Sequence, residues 1–326
     1  MTANKKRLLL PRTLAKAGWD IVAARDDIEA TAYAPTIAAA DLHALLPEID
    51  GIALALTRFG APELAAAPRL KVVARVGVGF DTVDVPALTA QRIPLMTVGL
   101  ANAPSVAEHA FALMLALAKR NAHHDGAVRA GTWRDQLGTF PVDLLDKTLL
   151  VIGFGRIGTR IARRALAFEM RVLVYDPYVT AEAIAAAGCV PVADLDAGMA
   201  AADIVSVHCP KSAETTDLID AARLARMKPT AYLINTARGG IVNEAALAQA
   251  LAEKKLAGAG IDVFEREPAA LDHPLLRLPN VIVSPHMAGL SAEALDRMAM
   301  TTVRNILGVL DGAPAKENAV NPEVFG

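Results

Sequence analysis

Three residues that can exchange protons or bind anions each follow a short apolar run late in the sequence. Arg238 follows LINTA, Glu267 follows GIDVF and His286 follows VIVS. A histidine exchanges a proton near neutral pH, a carboxylate stabilises a charged imidazole, and an arginine pairs with anionic groups. In a parallel sheet, ligands bind beyond the carboxyl ends of the strands, so we expect these side chains to face one crevice. Each alone could be an ordinary rim or loop residue, but their joint placement indicates a reactive site.

A glycine motif lies upstream of all three, in TLLVIGFGRIGTRIARRAL at 148–166. Gly153, Gly155 and Gly158 complete the pattern G-x-G-x-x-G between a strand-like run and a helix-like segment. The first glycine forms a tight turn, the second lets the backbone approach a pyrophosphate, and the third permits close packing of helix on strand. The start of the helix then offers unpaired N–H groups and a partial positive charge to the anion. The segment therefore predicts a dinucleotide site.

An acidic residue stands where the same pattern requires one. Asp176 ends the run VLVYD, 18 residues after Gly158, and dinucleotide sites place this acid about 20 residues on. A carboxylate there accepts hydrogen bonds from ribose hydroxyls and repels a 2′-phosphate, so NAD is favoured over NADP. The alternative is that Asp176 only begins a turn before Pro177.

Two series of strand-like runs, separated by helix-like segments, would position these residues. The first hundred residues contain RLLLP, DIVAA, GIALAL, LKVVARVG and IPLMTV. The second series contains TLLVIG, RVLVYD, DIVSVHC, AYLINTA, GAGIDV and NVIVS, the size of a complete Rossmann sheet. The alternation predicts parallel sheets with helical crossovers, which is an α/β fold.

Two long helix-like segments flank the second series. The segment 106–120 is apolar on so many sides that we expect it to be buried between domains or subunits. The segment 291–312 is amphipathic, and we expect it to pack back on the first series. We therefore predict a discontinuous domain of residues 1–100 and 290–326, with residues 101–289 inserted as a second domain.

Composition excludes several classes of function. The 326 residues carry a formal net charge of −2, which argues against nucleic-acid binding through a basic surface. Cys189 and Cys209 are the only cysteines, too few for a metal-ligand pattern or a disulfide framework, so we expect no bound metal. The apolar runs are too short for a signal peptide or a membrane span. We expect a cytoplasmic protein with no membrane or nucleic-acid partner.

Several longer motifs carry a family resemblance. The stretches RVGVGFDTVD, SVAEHAFALMLAL, VIGFGRIG, NTARGGIVNEAALAQAL, GAGIDVFEREP and SPHMAG resemble the D-2-hydroxyacid dehydrogenases, a family that includes phosphoglycerate, glycerate and D-lactate dehydrogenases. The resemblance implies two Rossmann-like domains: a doubly wound NAD-binding domain inserted in a discontinuous flavodoxin-like substrate domain, with the active site between them. It also implies a homodimer, and hydride transfer between nicotinamide and C2 of a D-2-hydroxy acid or 2-oxo acid.

The same resemblance assigns roles to individual residues. It makes His286 the acid/base, Glu267 its partner and Arg238 the anchor of the substrate carboxylate. It implies cofactor contacts at a larger set of positions: Gly153, Gly155, Arg156, Ile157, Gly158, Asp176, Cys209, Pro210, Thr236, Ala237, Arg238, Asp262, His286, Ala288 and Gly289. It implies substrate contacts at Arg58, Arg75, Val76, Gly77, Val78 and Arg238. Glycines at 77 and 79 would let main-chain N–H groups approach an anion, although they could equally form a tight turn.

The identity of the substrate stays open in the sequence. Arg58 matches the position at which phosphoglycerate dehydrogenases carry an arginine facing the phosphate, which suggests a 3-phosphoglycerate-like substrate. Phe59 and Gly60 replace the small hydroxyl residues usual after it, and HMAGLS departs from the HLGAST of that subgroup. A hydroxypyruvate or glyoxylate reductase is the alternative among enzymes. An NAD-sensing, corepressor-type binding protein is the alternative from another class, and the complete triad favours the enzyme.

Overall fold

The chain, seen in a computed structural model that describes residues 5–138 and 140–326, divides into two compact units. One unit comprises Met1–Asn102 and Leu290–Gly326, and the other comprises Ala103–Gly289. The four residues before Lys5 lie outside the described part. The first unit is therefore built from two separate parts of the chain, with the second unit inserted between them.

The first unit alternates strands with short helices. Its strands are β1 (Lys6–Pro11), β2 (Ile28–Tyr33), β3 (Gly51–Leu54), β4 (Val72–Arg75) and β5 (Leu95–Met96). The helices between them are α1 (Lys16–Ala23), α2 (Ala39–Leu45), α3 (Ala61–Ala66) and α4 (Val85–Ala90). All neighbouring strands are parallel, in the order β2-β1-β3-β4-β5, which is the flavodoxin-like order.

The second unit opens with two helices and continues with a seven-stranded parallel sheet. Its helices are α5 (Ala103–Ala118), α6 (Asn121–Arg129), α7 (Gly158–Ala167), α8 (Ala181–Ala186), α9 (Leu195–Ala201), α10 (Ala221–Leu224) and α11 (Glu244–Ala252). Its strands are β6 (Thr148–Ile152), β7 (Arg171–Tyr175), β8 (Val190–Pro191), β9 (Ile204–Val207), β10 (Tyr232–Asn235), β11 (Gly258–Ile261) and β12 (Val281–Val283). The order β12-β11-β10-β9-β6-β7-β8 is the Rossmann order extended by one strand.

The last long helix, α12 (Ala292–Leu310), belongs to the first unit and packs against α1 and β4. Leu8 and Leu10 of β1 join the core beneath α1 and α12, whereas Leu9 joins the core beneath α2, α3 and α4. Because helices cover both faces of the sheet, the inner strands are continuous apolar runs instead of alternating ones. Each unit is therefore an α/β, Rossmann-like domain, and the predicted two-domain fold class is confirmed.

The prediction that DIVAA forms a strand was wrong, because the first four of these residues form the end of α1. So short an apolar run fits a strand or one buried helix turn equally well. Here Gly18 and Val22, one helical turn apart, are the buried residues of α1, and a methyl group added at Gly18 would lie 3.1 Å from the Ala299 oxygen of α12. The strand of this repeat is β2, which the pattern missed because only its first and last residues are buried.

The apolar segment predicted at 106–120 contains most of α5, and its burial is accounted for within its own unit. It packs on α7, β10 and β11 of its own unit, and its residues Ala107, Ala110 and Met114 are fully buried in that unit's core. A helix that covers one face of a sheet and is itself covered by another helix is apolar on most sides. Its composition therefore needs no neighbouring domain or subunit to explain it.

Candidate active site

The loop between β6 and α7 is shaped by two glycines that leave no room for a side chain. Gly153 has φ +93°, and a methyl group added to it would lie 2.7 Å from the Cys209 backbone nitrogen. A methyl group on Gly158 would lie 1.9 Å from the Gly153 oxygen. The turn is thus held between the end of β9 and the start of α7, which satisfies the predicted tasks of the first and third glycines.

Gly155, the middle glycine, has the opposite surroundings. Nothing lies within 4 Å of a methyl group placed there, so the backbone faces open space directly before α7. The start of a helix presents N–H groups and a partial positive charge, which together favour a phosphate. This cradle fits the pyrophosphate of a dinucleotide. Arg156 is exposed and Ile157 half-buried in the same loop.

Asp176 lies beside this loop, at the end of β7. Its Oδ2 accepts a hydrogen bond from the Phe154 N–H at 2.7 Å, and its Oδ1 accepts one from the Tyr178 N–H at 2.9 Å. The carboxylate is half-buried and ties the phosphate loop to the β7 end. The residues therefore fit a dinucleotide whose ribose carries no phosphate, because a second anion beside this charge would be repelled.

The end of β9 supplies two of the predicted cofactor contacts, Cys209 and Pro210, directly after His208. His208 Nε2 lies at hydrogen-bond distance, 2.8 Å, from Ser206 Oγ, and its Nδ1 is buried without a partner among the described residues. Burial lowers the pKa of His208 to about 3, and burial raises the pKa of the Cys209 thiol to about 11. Both groups are therefore neutral near pH 7. Pro210 is exposed and accepts from Thr215 Oγ1 through its carbonyl at 2.7 Å.

His286 and Glu267 are in direct contact. His286 Nδ1 lies 2.8 Å from Glu267 Oε2, and Glu267 Oε1 accepts the Phe264 N–H at 3.0 Å. An ionised carboxylate only accepts hydrogen bonds, so Nδ1 carries the proton in this contact. His286 Nε2 makes no hydrogen bond to any of the described residues, and 47% of the side chain is exposed. That nitrogen is the atom available for proton exchange with a ligand.

The turn that carries His286 is held by Asp262. His286 has φ +56°, a left-handed conformation that costs energy for a side chain of this size. Its N–H donates to the Asp262 carbonyl at 2.8 Å, while the Asp262 carboxylate accepts the N–H groups of Met287 at 2.8 Å and Ala288 at 2.9 Å. Ser284 Oγ donates to the same carboxylate at 2.5 Å.

Asp262 thus has a structural task that sequence reasoning missed. Its side chain is fully buried, and three donors occupy three of the roughly four acceptor positions of a carboxylate. One acceptor position on Oδ2 remains for the predicted cofactor contact. The signal in the sequence was the hydroxyl of Ser284, two residues before His286 and immediately after β12.

Arg238 lies on the loop after β10, next to the strand that leads to Glu267. Asn235 shapes this loop, since its side chain donates to the Arg238 carbonyl at 3.0 Å and accepts the Ala237 N–H at 3.1 Å. The Arg238 guanidinium donates to the Ala237 carbonyl at 2.7 Å. A methyl group on Gly239 would lie 1.9 Å from the Phe264 oxygen, so the loops after β10 and β11 touch through their backbones.

The remaining predicted cofactor positions surround these loops. Thr236 is buried, and its hydroxyl has no partner among the described residues. A buried hydroxyl without a partner is a position at which a ligand's polar group would recover a hydrogen bond. Ala288 is buried and Gly289 half-buried after the His286 turn.

The predicted substrate residues other than Arg238 lie at the carboxyl ends of β3 and β4 in the first unit. Gly77 has φ +157° and open space at its Cα, and its carbonyl accepts the Val98 N–H at 3.2 Å. Arg75 is 8% exposed and donates to the Gly79 carbonyl at 2.7 Å and the Leu54 carbonyl at 3.1 Å. Arg75 therefore supports the loop that contains Val76 and Val78, and a direct contact with substrate stays a prediction. Arg58 is exposed, with no hydrogen bond or ion pair to the rest of the described chain.

Comparison with known proteins decides the family. The model of the "D-isomer specific 2-hydroxyacid dehydrogenase, NAD binding domain" matches residues 111–288, more than half of the chain. The chain belongs to this family. Residues 111–288 are accordingly the NAD-binding domain of a D-2-hydroxyacid dehydrogenase, and the cofactor predicted from Gly153, Gly155, Gly158 and Asp176 is confirmed as NAD.

Individual D-2-hydroxyacid dehydrogenases and their relatives resemble the chain over most of its length. It is 39% identical to a D-3-phosphoglycerate dehydrogenase of Archaeoglobus fulgidus over 85% of this chain and 52% of the relative. It is 39% identical to a glyoxylate reductase of Thermofilum pendens over 85% of this chain and 82% of the relative. The chain thus spans about half the length of the phosphoglycerate dehydrogenase. The structure of an Aquifex aeolicus D-lactate dehydrogenase with NAD and lactic acid aligns with a TM-score of 0.85 and 31% identity, covering 96% of this chain and 99% of that one.

Within 5–138 and 140–326, no helix is both long and apolar enough to cross a membrane. In the same ranges, no group of three or more His, Cys, Asp or Glu side chains is arranged to hold a metal ion.

Proposed function

We propose that the chain is an NAD-dependent D-2-hydroxyacid dehydrogenase that interconverts a small D-2-hydroxy acid and its 2-oxo acid. The observation that carries the proposal is the 2.8 Å contact between His286 Nδ1 and Glu267 Oε2, which leaves Nε2 free. This pair follows β11 and β12, at the carboxyl edge of the sheet whose β6 end forms the phosphate loop. Ligands of doubly wound sheets bind at that edge.

The proton chemistry follows from this pair. When bound, the nicotinamide delivers a hydride to C2 of the 2-oxo acid or removes one from the 2-hydroxy acid. His286 Nε2 donates a proton to the carbonyl oxygen during reduction and removes the hydroxyl proton during oxidation. The Glu267 carboxylate stabilises the imidazolium and keeps the proton on Nδ1 in the neutral ring. Each turnover thus moves one hydride and one proton together.

Substrate binding is assigned to cationic and backbone donors. Arg238 pairs with the substrate carboxylate through parallel N–H donors and polarises the neighbouring carbonyl. The loop Val76–Val78 offers backbone N–H groups to the same kind of anion, and the open space at Gly77 supports this role. Thr236, with its unpartnered buried hydroxyl, is assigned to the cofactor side.

The test is a panel of 2-oxo acids assayed with NADH and NADPH. We expect turnover of at least one 2-oxo acid with NADH. We expect His286→Ala to lower kcat by roughly 10²–10⁴-fold, the usual contribution of a general acid, with NADH affinity retained. His273→Ala is a matched control, because His273 Nε2 is also paired with a glutamate, Glu244, at 2.9 Å. Turnover that survives in His286→Ala would contradict the assignment.

A substrate with a second anion is proposed as the first candidate within this class. Arg58 is exposed and unpaired in the described chain, so its charge is available to a phosphate. Phosphohydroxypyruvate should then be preferred over hydroxypyruvate, and Arg58→Ala should remove that preference. Equal rates with both acids, unchanged in Arg58→Ala, would favour a hydroxypyruvate or glyoxylate reductase. No turnover with any acid, together with tight NADH binding, would favour an NAD-sensing binding protein.

A homodimer and a cytoplasmic location complete the proposal. Helix α6 has no buried residue in the described chain, although it lies directly after the buried α5. The segment from α6 to β6 carries a series of exposed apolar side chains: Val128, Trp133, Phe140, Val142 and Leu145. Large exposed apolar side chains concentrated in one segment favour burial against a second copy. Both cysteines are free, as expected in a reducing compartment.

A further inference from the structure

A histidine outside the predicted site is hydrogen-bonded to the network that holds the His286 turn. His109, on α5, has its Nε2 2.8 Å from Ser284 Oγ and 3.7 Å from Asp262 Oδ1. Ser284 Oγ in turn contacts Asp262 Oδ1 at 2.5 Å. The same Asp262 carboxylate accepts the N–H groups of Met287 and Ala288, the two residues that follow His286 in the turn.

The direction of these hydrogen bonds follows from the inventory of donors. The buried Asp262 carboxylate, already accepting two backbone N–H groups, also accepts the Ser284 hydroxyl proton. The Ser284 oxygen can then only accept from His109, so His109 Nε2 carries a proton. The order is His109 N–H to Ser284 O–H to Asp262. Only Nε2 of His109 takes part in this series of hydrogen bonds, and 28% of the His109 side chain is exposed.

The packing of α5 on β11 explains why a histidine reaches this point. A methyl group on Gly258 would lie 3.2 Å from Leu117, and one on Gly260 would lie 2.9 Å from Leu113. His109 continues this stripe on α5 and Asp262 continues it after β11. Four helical residues rise about 6.0 Å and two strand residues about 6.6 Å, so each helical turn advances by nearly one strand repeat. The register that sets Leu117 on Gly258 therefore sets His109 opposite Asp262.

We propose that His109 is a positioning residue, which holds the Ser284–Asp262 pair and through it the left-handed turn that presents His286 Nε2. This inference rests on the proposed function for the role of His286, but the network itself does not. Without the His109 donor, the Ser284 hydroxyl is free to rotate away from Asp262, and the turn loses one of its restraints. Displacement of a reacting group by about 1 Å can cost about 100-fold in rate.

The variants are His109→Leu, which removes the donor, and His109→Gln, whose side-chain amide N–H₂ can replace it. Glu108→Gln is the matched control on the same helix, since Glu108 is exposed and pairs with Arg164 at 3.0 Å. Ser284→Ala removes the middle hydroxyl. Hydrogen exchange of the Met287 and Ala288 amides reports the turn directly. The NADH dissociation constant, kcat, KM and the isotope effect with 4-deuterated NADH report the reaction.

We expect His109→Leu to speed exchange of these two amides by about fivefold or more, since local opening governs exchange. We expect kcat to fall about tenfold with the NADH dissociation constant unchanged, and the isotope effect to rise because hydride transfer becomes slower. A smaller folded fraction would lower kcat without changing the isotope effect. His109→Gln should restore the wild-type amide exchange and kcat. The double variant His109→Leu, Ser284→Ala should have the same exchange rates and kcat as Ser284→Ala alone.

Exchange rates at Met287 and Ala288 that stay at the wild-type value in His109→Leu would overturn the inference, as would a His109→Gln variant no better than His109→Leu. If the wild-type chain reduces no 2-oxo acid, the proposed function fails on its own. The exchange measurement then still decides whether His109 restrains the turn.

Discussion

The single carboxylate of Asp176 should determine which dinucleotide is used. It lies beside the phosphate loop, bonded to the N–H groups of Phe154 and Tyr178. A 2′-phosphate carries up to two negative charges, and each of them would be repelled by the Asp176 carboxylate by about 1 kcal/mol at about 4 Å even in water. The binding free energies of the two cofactors should therefore differ by roughly 2 kcal/mol, which is about 30-fold. We expect Asp176→Ser to raise the NADPH-to-NADH ratio of kcat/KM by about that factor. Steady-state kinetics with both cofactors measures the ratio, and an unchanged ratio would remove Asp176 as the determinant.

At the residue scale, sequence reasoning identified chemical types better than hydrogen-bond partners. The contact between His286 and Glu267 was expected from the family resemblance, which makes Glu267 the partner of His286. The hydrogen bonds that the buried side chains of Asp262 and Arg75 make to backbone groups were not predicted. A short polar residue after a strand can face a ligand or its own backbone, and only the path of the chain distinguishes the two cases. His109 gave no signal, because its partner Ser284 lies 175 residues away.

At the scale of elements, the close approach of α5 to β11 yields a prediction on stability and on the site together. Gly260→Ala places a methyl group 2.9 Å from Leu113 Cβ and 3.0 Å from Ile234, so α5 must move outward. We expect the variant to lose about 1–3 kcal/mol of unfolding free energy, as overpacked cores do. It should also speed amide exchange at Met287 and Ala288, because His109 moves with the helix.

A glycine in an open helical position provides the control for that experiment. Nothing lies within 4 Å of a methyl group at Gly126 in α6, so Gly126→Ala should be neutral or stabilising by up to about 1 kcal/mol. Denaturant unfolding and hydrogen exchange would be measured on both variants. A Gly260→Ala protein as stable as the wild type would show that the sheet absorbs the methyl group without moving α5.

The elements themselves were largely predictable. All six runs of the second sheet are strands, because buried parallel strands are continuous apolar stretches between helical segments. The sequence could not separate the apolar turn at the end of α1 from a strand, nor find β2, whose four middle residues are not buried. Neither error changed the fold class, since β2 is an edge strand of the first sheet and α1 is the helix that leads to it.

At the scale of the whole molecule, Asn321 joins chain segments more than 200 residues apart. Its Oδ1 accepts the Leu95 N–H at 2.8 Å, and its Nδ2 donates to Thr89 Oγ1 and the Ile93 carbonyl, both at 3.0 Å. The residue is 2% exposed, so its loss leaves buried groups without partners. We expect Asn321→Ala to destabilise the first unit by roughly 2–3 kcal/mol.

Because the chain has two compact units, unfolding of the first unit must be followed separately. Hydrogen exchange in β5 and α4 serves this purpose, with α7 as the reference in the second unit. The exposed, neighbouring Glu323→Ala is the control and should leave both units unchanged. Equal protection of β5 in Asn321→Ala and wild type would contradict the predicted role.

The proposed homodimer can be tested at the exposed apolar side chains of the segment from α6 to β6. If a second copy covers this surface, Trp133→Glu should shift the sedimentation of the chain from dimer to monomer, because the change places a charge in a buried contact. Trp133 is 63% exposed in the single chain. Leu271→Glu is the control, since Leu271 is 95% exposed but lies outside this segment. A dimer that persists in Trp133→Glu would remove the segment from the interface.

The confinement of Gly153 has one more consequence. Because the strand end at Cys209 and the start of α7 close around this glycine, the loop already holds its shape in the free protein. A loop that is preorganised loses little conformational entropy when its ligand arrives, so more of the interaction energy is retained as affinity. Gly153 is thus required by the packing of the chain itself, and not only by the approach of a ligand. We therefore expect an alanine at this position to lower the stability of the fold in addition to any effect on binding.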